Sequence, residues 1–210
     1  MTDVLLVGDD KLGRRLLARL GNSLGVVIAL DHSSKLKRVV KLVLGKKLPL
    51  RVLAKMAWVE LCRSDYPRMT APIIRTNDSL LKLIHEHHAQ KIYLFRAGLI
   101  ISKKLLAENI EILNVHCARL PEYGGLGAVD RALSDGALAQ CASLHRVTTR
   151  IDGGEVLQTM PYQLDPSLSY ADNEERAYAA GIELLARELS MTMIREGGVR
   201  ATSFELRNHE

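Results

Sequence analysis

The apolar residues of this chain fall into two rhythms. Short unbroken runs read as strands buried on both faces: DVLLVG (3–8), GVVIAL (25–30), KIYLF (91–95) and EILNVHC (111–117). Between the first two runs, DKLGRRLLARLGNS places Leu12, Leu16, Leu17 and Leu20 at helical spacing. Strand, helix and strand in that order predict a parallel βαβ unit. Residues 34–63 read as two amphipathic helices broken at Gly45 and Pro49, and APIIRT (71–76) as a third strand. NDSLLKLIHEHHA follows as a helix capped by Asn77 or Asp78, and SKKLLAE (102–108) as a short one. AVDRALSDG (128–136) is a helix closed by Gly136. CASLHRVT (141–148) and GEVLQTMPYQL (154–164) form two strands joined through TRIDG. A long helix from about Asp172 to Arg195 carries an apolar stripe of Ala177, Ala180, Ile182, Leu184, Leu185 and Leu189, which marks it as packed on the core. The pattern predicts a Rossmann-like α/β fold, a central and mostly parallel sheet flanked by helices. No linker divides it, so residues 1–210 are expected to form a single domain.

Composition narrows the class. With 47% apolar and 25% charged residues, the chain is ordinary for a globular protein, and 210 residues can bury a core without staples. Cys62, Cys117 and Cys141 are too few and too scattered for a disulfide framework or a cysteine-rich zinc site. A reducing, cytoplasmic setting fits. The N-terminus turns acidic after five apolar residues and reads as a strand, not a signal peptide, and no run of 18 apolar residues could span a membrane.

The net charge of +5 is unevenly placed: eight Lys and Arg lie between Lys35 and Lys55 with no acid among them. One reading of this segment is a core-packed helix pair with a solvated basic face. The other is attraction of an acidic partner, whether a nucleotide diphosphate, a glutamate tail or an anionic membrane surface. Its apolar residues also allow a homodimer contact. With 4% aromatics, and Trp58 the only tryptophan, the stacking platforms of nucleic-acid binders are missing, and no nucleic acid is expected as partner. HEHH (85–88) sets His85 and His88 one turn apart, but no acid or cysteine completes a metal site. Cys117 reads as a small apolar filler.

Asn114 and His116 stand two apart at the end of the fifth predicted strand, so they project from the same face. Ligands of open α/β sheets bind beyond the strands' carboxyl ends. Asp152 is placed at the end of the sixth strand, before Gly153-Gly154, which permit a tight backbone. Amide, imidazole and carboxylate at neighbouring strand ends suit acyl transfer. The same three residues also suit a turn cap, a packed histidine and a turn start.

NVHCARLPEYGG (114–125) and, further on, ASLHRVTTRIDGGEVL (142–157) resemble the folate-dependent formyltransferases, of the kind that act on glycinamide ribonucleotide. The matching residues are Asn114, His116, Leu120, Pro121, Tyr123, Gly124, His145, Asp152 and Gly153, and LFRAGLIISKKLL (94–106) resembles the family's folate-side loop. The resemblance covers a motif core of roughly residues 91–165. It implies transfer of a formyl group from 10-formyltetrahydrofolate to the amine of a small molecule, with no metal. In that scheme Asn114 and His116 donate hydrogen bonds to the tetrahedral oxyanion, and Asp152 orients the imidazole and helps take the amine proton. The pteridine is expected between Arg96, Ala97, Gly98, Leu99 and Ile100 on one side and Val147, Thr148, Thr149, Arg150 and Ile151 on the other. Arg119, Tyr123 and Gly124 are expected to meet the acceptor.

Departures from the pattern shape the acceptor. In place of a glycine- and serine-rich phosphate loop after the first strand stands VGDDKLGRR, where Asp9 and Asp10 would repel a phosphate. An amino sugar, linked to a nucleotide, is the expected acceptor. The alternatives are a formyltetrahydrofolate hydrolase, a glycinamide ribonucleotide formyltransferase and a non-catalytic folate-binding relative.

Overall fold

The computed structural model describes residues 2–21, 25–33 and 49–197. Seven strands form one sheet in the order β3-β2-β1-β4-β5-β6-β7. β1 (Asp3–Gly8), β2 (Val26–Asp31), β3 (Ile73–Ile74), β4 (Lys91–Phe95) and β5 (Glu111–His116) run parallel. β6 (Ala139–Arg146) returns antiparallel to β5 and pairs with β7 (Val156–Gln163) as a hairpin. The helices are α1 (Lys11–Leu20), α2 (Leu50–Cys62), α3 (Asn77–His87), α4 (Lys103–Leu106), α5 (Ala128–Ser134) and α6 (Tyr170–Gly197).

The unbroken apolar runs form the middle of the sheet because both faces are covered. Alternate residues of β1 and β4 serve different layers. Leu5, Val7, Tyr93 and Phe95 pack with α1 and with Leu184, Leu185 and Leu189 of α6, whereas Val4, Leu6, Ile92 and Leu94 pack with Leu80, Leu83 and Ile84 of α3. The stripe predicted on α6 is buried.

Several boundaries differ from the sequence reading. The third strand shrinks from 71–76 to Ile73–Ile74. Pro72 has no N–H to donate, and Thr76 already opens α3. Thr76, not Asn77 or Asp78, is the cap: its hydroxyl accepts the Ser79 N–H at 3.2 Å, and Ser79 Oγ accepts the Thr76 N–H at 3.1 Å. Asn77 instead bridges to the Ile100 carbonyl and the Ser102 N–H. The 102–108 helix contracts to a single turn. The hairpin strands begin and end elsewhere, at 139–146 and 156–163, so the connection is nine residues long and Asp152 lies within it rather than at a strand end. Of the two helices read in 34–63, the second is α2; the first, at 34–48, lies outside the described residues.

Candidate active site

β5 ends in Asn114 and His116, both on the face that Ile112 occupies one turn of pleat earlier. Directly across the antiparallel ladder from Asn114 stands His145 of β6. Cross-strand partners lie close enough for side chains to bond. Asn114 Nδ2 and His145 Nε2 are 3.0 Å apart, and His145 Nδ1 lies 3.0 Å from the Arg146 carbonyl. A carbonyl only accepts, so Nδ1 carries the proton and Nε2 accepts from the Asn114 amide. Burial lowers the pKa of His145, outweighing the Arg146 carbonyl and Asp152, so the ring is held neutral. The second amide hydrogen of Asn114 has no acceptor among the described residues.

Asp152 sits at φ +49°, a left-handed backbone. That special conformation falls on the aspartate and not on Gly153 or Gly154. Gly154 is needed for a different reason: a Cβ there would stand 1.9 Å from the Arg146 carbonyl oxygen. The turn aims the carboxylate back over β5. Oδ2 accepts the Gly125 N–H at 2.7 Å and lies 3.7 Å from His116 Nδ1, while Oδ1 lies 3.6 Å from His145 Nε2. His116 Nε2 donates to the Tyr123 carbonyl at 2.7 Å. Both nitrogens of His116 therefore face protein oxygens, and Asn114 offers the free donor.

These groups open on a cleft of about 290 Å³, whose walls include Arg96–Gly98, Leu53 and Met56 of α2, and Tyr170, Glu174 and Tyr178 of α6. Arg96, at φ +56°, turns the chain after β4. Its guanidinium bonds Asp10 Oδ2 through Nε at 2.9 Å and through Nη2 at 2.8 Å, donates to the Tyr178 hydroxyl, and lies 4.8 Å from that ring's centroid. Burial alone would lower its pKa, but Tyr178 and Asp10 hold it above the ordinary value. Asp10 also caps α1, accepting the Gly13 N–H at 2.9 Å. The place where such a fold can seat an anion is thus filled by the chain's own carboxylate. The buried Asp31, at the end of β2, accepts from Ser33 at 2.7 Å, from Leu99 at 3.0 Å and from Gly98. The amides of Gly98 and Leu99 are therefore already engaged.

Burial raises the carboxyl pKa of Glu174, partly offset by Arg63 at 2.8 Å and by the Tyr170 hydroxyl at 3.0 Å. Burial pushes the Cys117 thiol up to about 12, so no thiolate nucleophile forms.

The structure brings Asn114, His116, Asp152, Arg96, Ala97 and Gly98 to one cleft and leaves the other expected contacts off its lining. Thr148, Thr149, Arg150 and Ile151 stand exposed on the hairpin connection. Leu99 and Ile100 do not line the cleft, and Val147 lines a separate cavity with Ile112 and Arg146. Arg119 reaches the Ala139 carbonyl and Glu122 and does not line the cleft. Tyr123 is buried and bonds Asp135, and the Gly124 carbonyl accepts from Arg131, so both shape the loop behind His116. His145, Asp31 and Glu174 received no role from the sequence. Only His145 carried a signal, as one of the residues in the 142–157 stretch that match the family resemblance.

Sheet order and strand direction define a Rossmann-like α/β fold with its cleft at the strands' carboxyl ends. The family model for formyl transferase matches residues 16–189, and the chain belongs to this family. A methionyl-tRNA formyltransferase of Rickettsia rickettsii (strain Iowa) is 26% identical over 120 residues, covering 57% of this chain and 40% of that protein. The match thus spans well under half of that relative's length. Among solved structures, a phosphoribosylglycinamide formyltransferase of Campylobacter jejuni superposes with TM-score 0.59 at 18% identity, covering 91% of this chain and 97% of the other. A sugar N-formyltransferase of Shewanella sp. FDAARGOS_354 gives TM-score 0.60 at 15% identity, covering all of this chain and 76% of the other.

Proposed function

We propose that this protein transfers a formyl group from 10-formyltetrahydrofolate to the amine of an amino sugar, linked to a nucleotide. The convergence of Asn114, His116 and Asp152 on one cleft carries this reading. The free amide hydrogen of Asn114 suits an oxygen on which negative charge develops. In its protonated form, His116 would add positive charge there while donating to the Tyr123 carbonyl and facing the Asp152 carboxylate at 3.7 Å. Asp152, anchored by the Gly125 N–H, is placed to take a proton from the attacking amine, directly or through a water.

The donor's ring is assigned to the side walled by Arg96–Gly98. With the Gly98 and Leu99 amides held by Asp31, backbone carbonyls are left to read the ring edge. The acceptor is assigned to the side of α2 and α6. Glu174 and the hydroxyls of Tyr170 and Tyr178 suit neutral sugar hydroxyls, and the Asp10 cap disfavours a phosphate at α1. A reducing cytoplasmic setting suits the three free cysteines.

Titration with a stable reduced-folate analogue tests the donor site in the wild type and in Asn114→Ala. Micromolar binding in both, with formyl transfer to amino sugars lost only in the variant, is the expected result. Absence of binding in both proteins overturns the reading, and formate release without an acceptor reassigns it to hydrolysis.

A further inference from the structure

We propose that the outer face of α2 docks on an anionic lipid bilayer. Helix α2 presents two opposite apolar faces. Val52 and Val59 are buried inward. Leu50, Ala54, Trp58 and Leu61, at spacings of four, four and three, form an outward stripe. Leu50, Trp58 and Leu61 are 69%, 67% and 70% exposed, although large apolar side chains on a surface helix normally face inward.

The helix is held by its other sides. Lys11 Nζ donates to the Leu61 carbonyl at 2.8 Å and to the Arg63 carbonyl at 2.6 Å, and Lys55 reaches Asp130 at 2.9 Å. The stripe is therefore presented on a fixed element. Charge names the partner. Glu60 is the one acid of α2, and it is turned away, engaged by the Lys11 N–H at 3.0 Å and by Arg63. Arg51 borders the stripe and is exposed. Along the sequence, the stretch from Lys35 to Lys55 holds eight cations and no acid.

Leucines and a tryptophan backed by Lys and Arg are what an interfacial helix offers to acidic headgroups and the acyl boundary beneath them. An acidic protein surface would use the cations but leave the indole and the leucines without a matching apolar phase. Leu53 and Met56 of the same helix line the cleft, so docking would set the cleft beside the bilayer.

Trp58 is the only tryptophan in the sequence and reports on the stripe directly. The chain is mixed with vesicles of phosphatidylglycerol and phosphatidylcholine, or of phosphatidylcholine alone, and Trp58 emission and co-sedimentation are followed. The expected result is a blue shift and pelleting with the anionic vesicles, on the order of tenfold tighter than with neutral ones. High salt should weaken both. The Leu50→Glu, Leu61→Glu double variant, shown folded by circular dichroism, should lose both. No shift with either vesicle overturns the proposal, as does equal binding to neutral lipid. So does lipid-free emission already blue-shifted and shielded from acrylamide, which would mean that the stripe is covered by the chain itself or, if sedimentation shows a doubled mass, by a second copy.

Discussion

Asp31 supports the loop after β4 from below, and its replacement separates positioning from chemistry. Its two oxygens accept three backbone N–H groups, those of Ser33, Gly98 and Leu99. Asp31→Ala removes every acceptor at once. A buried N–H left unpaired costs roughly 1–3 kcal/mol. The loop borders an open cleft that water can enter, so the lower end applies, about 3 kcal/mol for the three groups. In a domain of this size that lowers Tm by about 6–12 °C. Asp31→Asn keeps the shape and, with its carbonyl oxygen toward Gly98 and Leu99, opposes only the Ser33 N–H with its NH2, so about 1 kcal/mol, or about 2–4 °C, is expected. Where this cost loosens the 96–100 turn, a formyl donor bound against it as proposed must reorder it, and every 1.4 kcal/mol raises KM about tenfold. The turnover number should change little, because Asn114 and His116 stand on β5. Thermal melts and a KM-against-kcat comparison check both parts. A wild-type Tm and KM in Asp31→Ala would refute the reasoning, and so would a loss confined to kcat.

Other expectations follow from the same contacts. Asn114→Ala removes the free amide donor and should lower kcat about 100- to 1,000-fold while folate affinity holds; equal losses in binding would move its role to the ground state. His145 has its pKa lowered in the fold from the ordinary 6.5, so the unfolded chain takes up its proton first as pH falls. Its contribution to stability is therefore present above about pH 6.5 and is lost as pH drops through the lower folded value; denaturant titrations of wild type and His145→Gln should diverge in pH dependence within that window. In α6, a Cβ at Gly181 would lie 2.5 Å from Cys117 Sγ, so Gly181→Ala should cost about 1–3 kcal/mol. Adding Cys117→Ala should restore most of it, and simple additivity in chemical denaturation would show that the clash is not the cause.

The strands of the sheet interior and the stripe on α6 were legible because burial on two faces, or on one stripe, leaves a periodic mark on the residues themselves. Asn114 and His116 were legible for the same reason: two polar residues at one end of a buried run, two apart, must share a face. The short β3, the Thr76 cap and the length of the hairpin connection were not, since each depends on which backbone group wins a partner locally. Nor was the network around Asn114. His145 meets it only through the antiparallel register of β5 and β6, which no local pattern encodes. Asp31 and Gly98 lie 67 residues apart in the chain, and Asp10 and Arg96 lie 86 apart. The sequence by itself determined the layers, the carboxyl end of β5 and the residue types that can stabilise a developing charge. Only the tertiary structure decided which carboxylate holds which loop, because a carboxylate shows no preference for a distant amide or guanidinium until the sheet order brings them within hydrogen-bond reach.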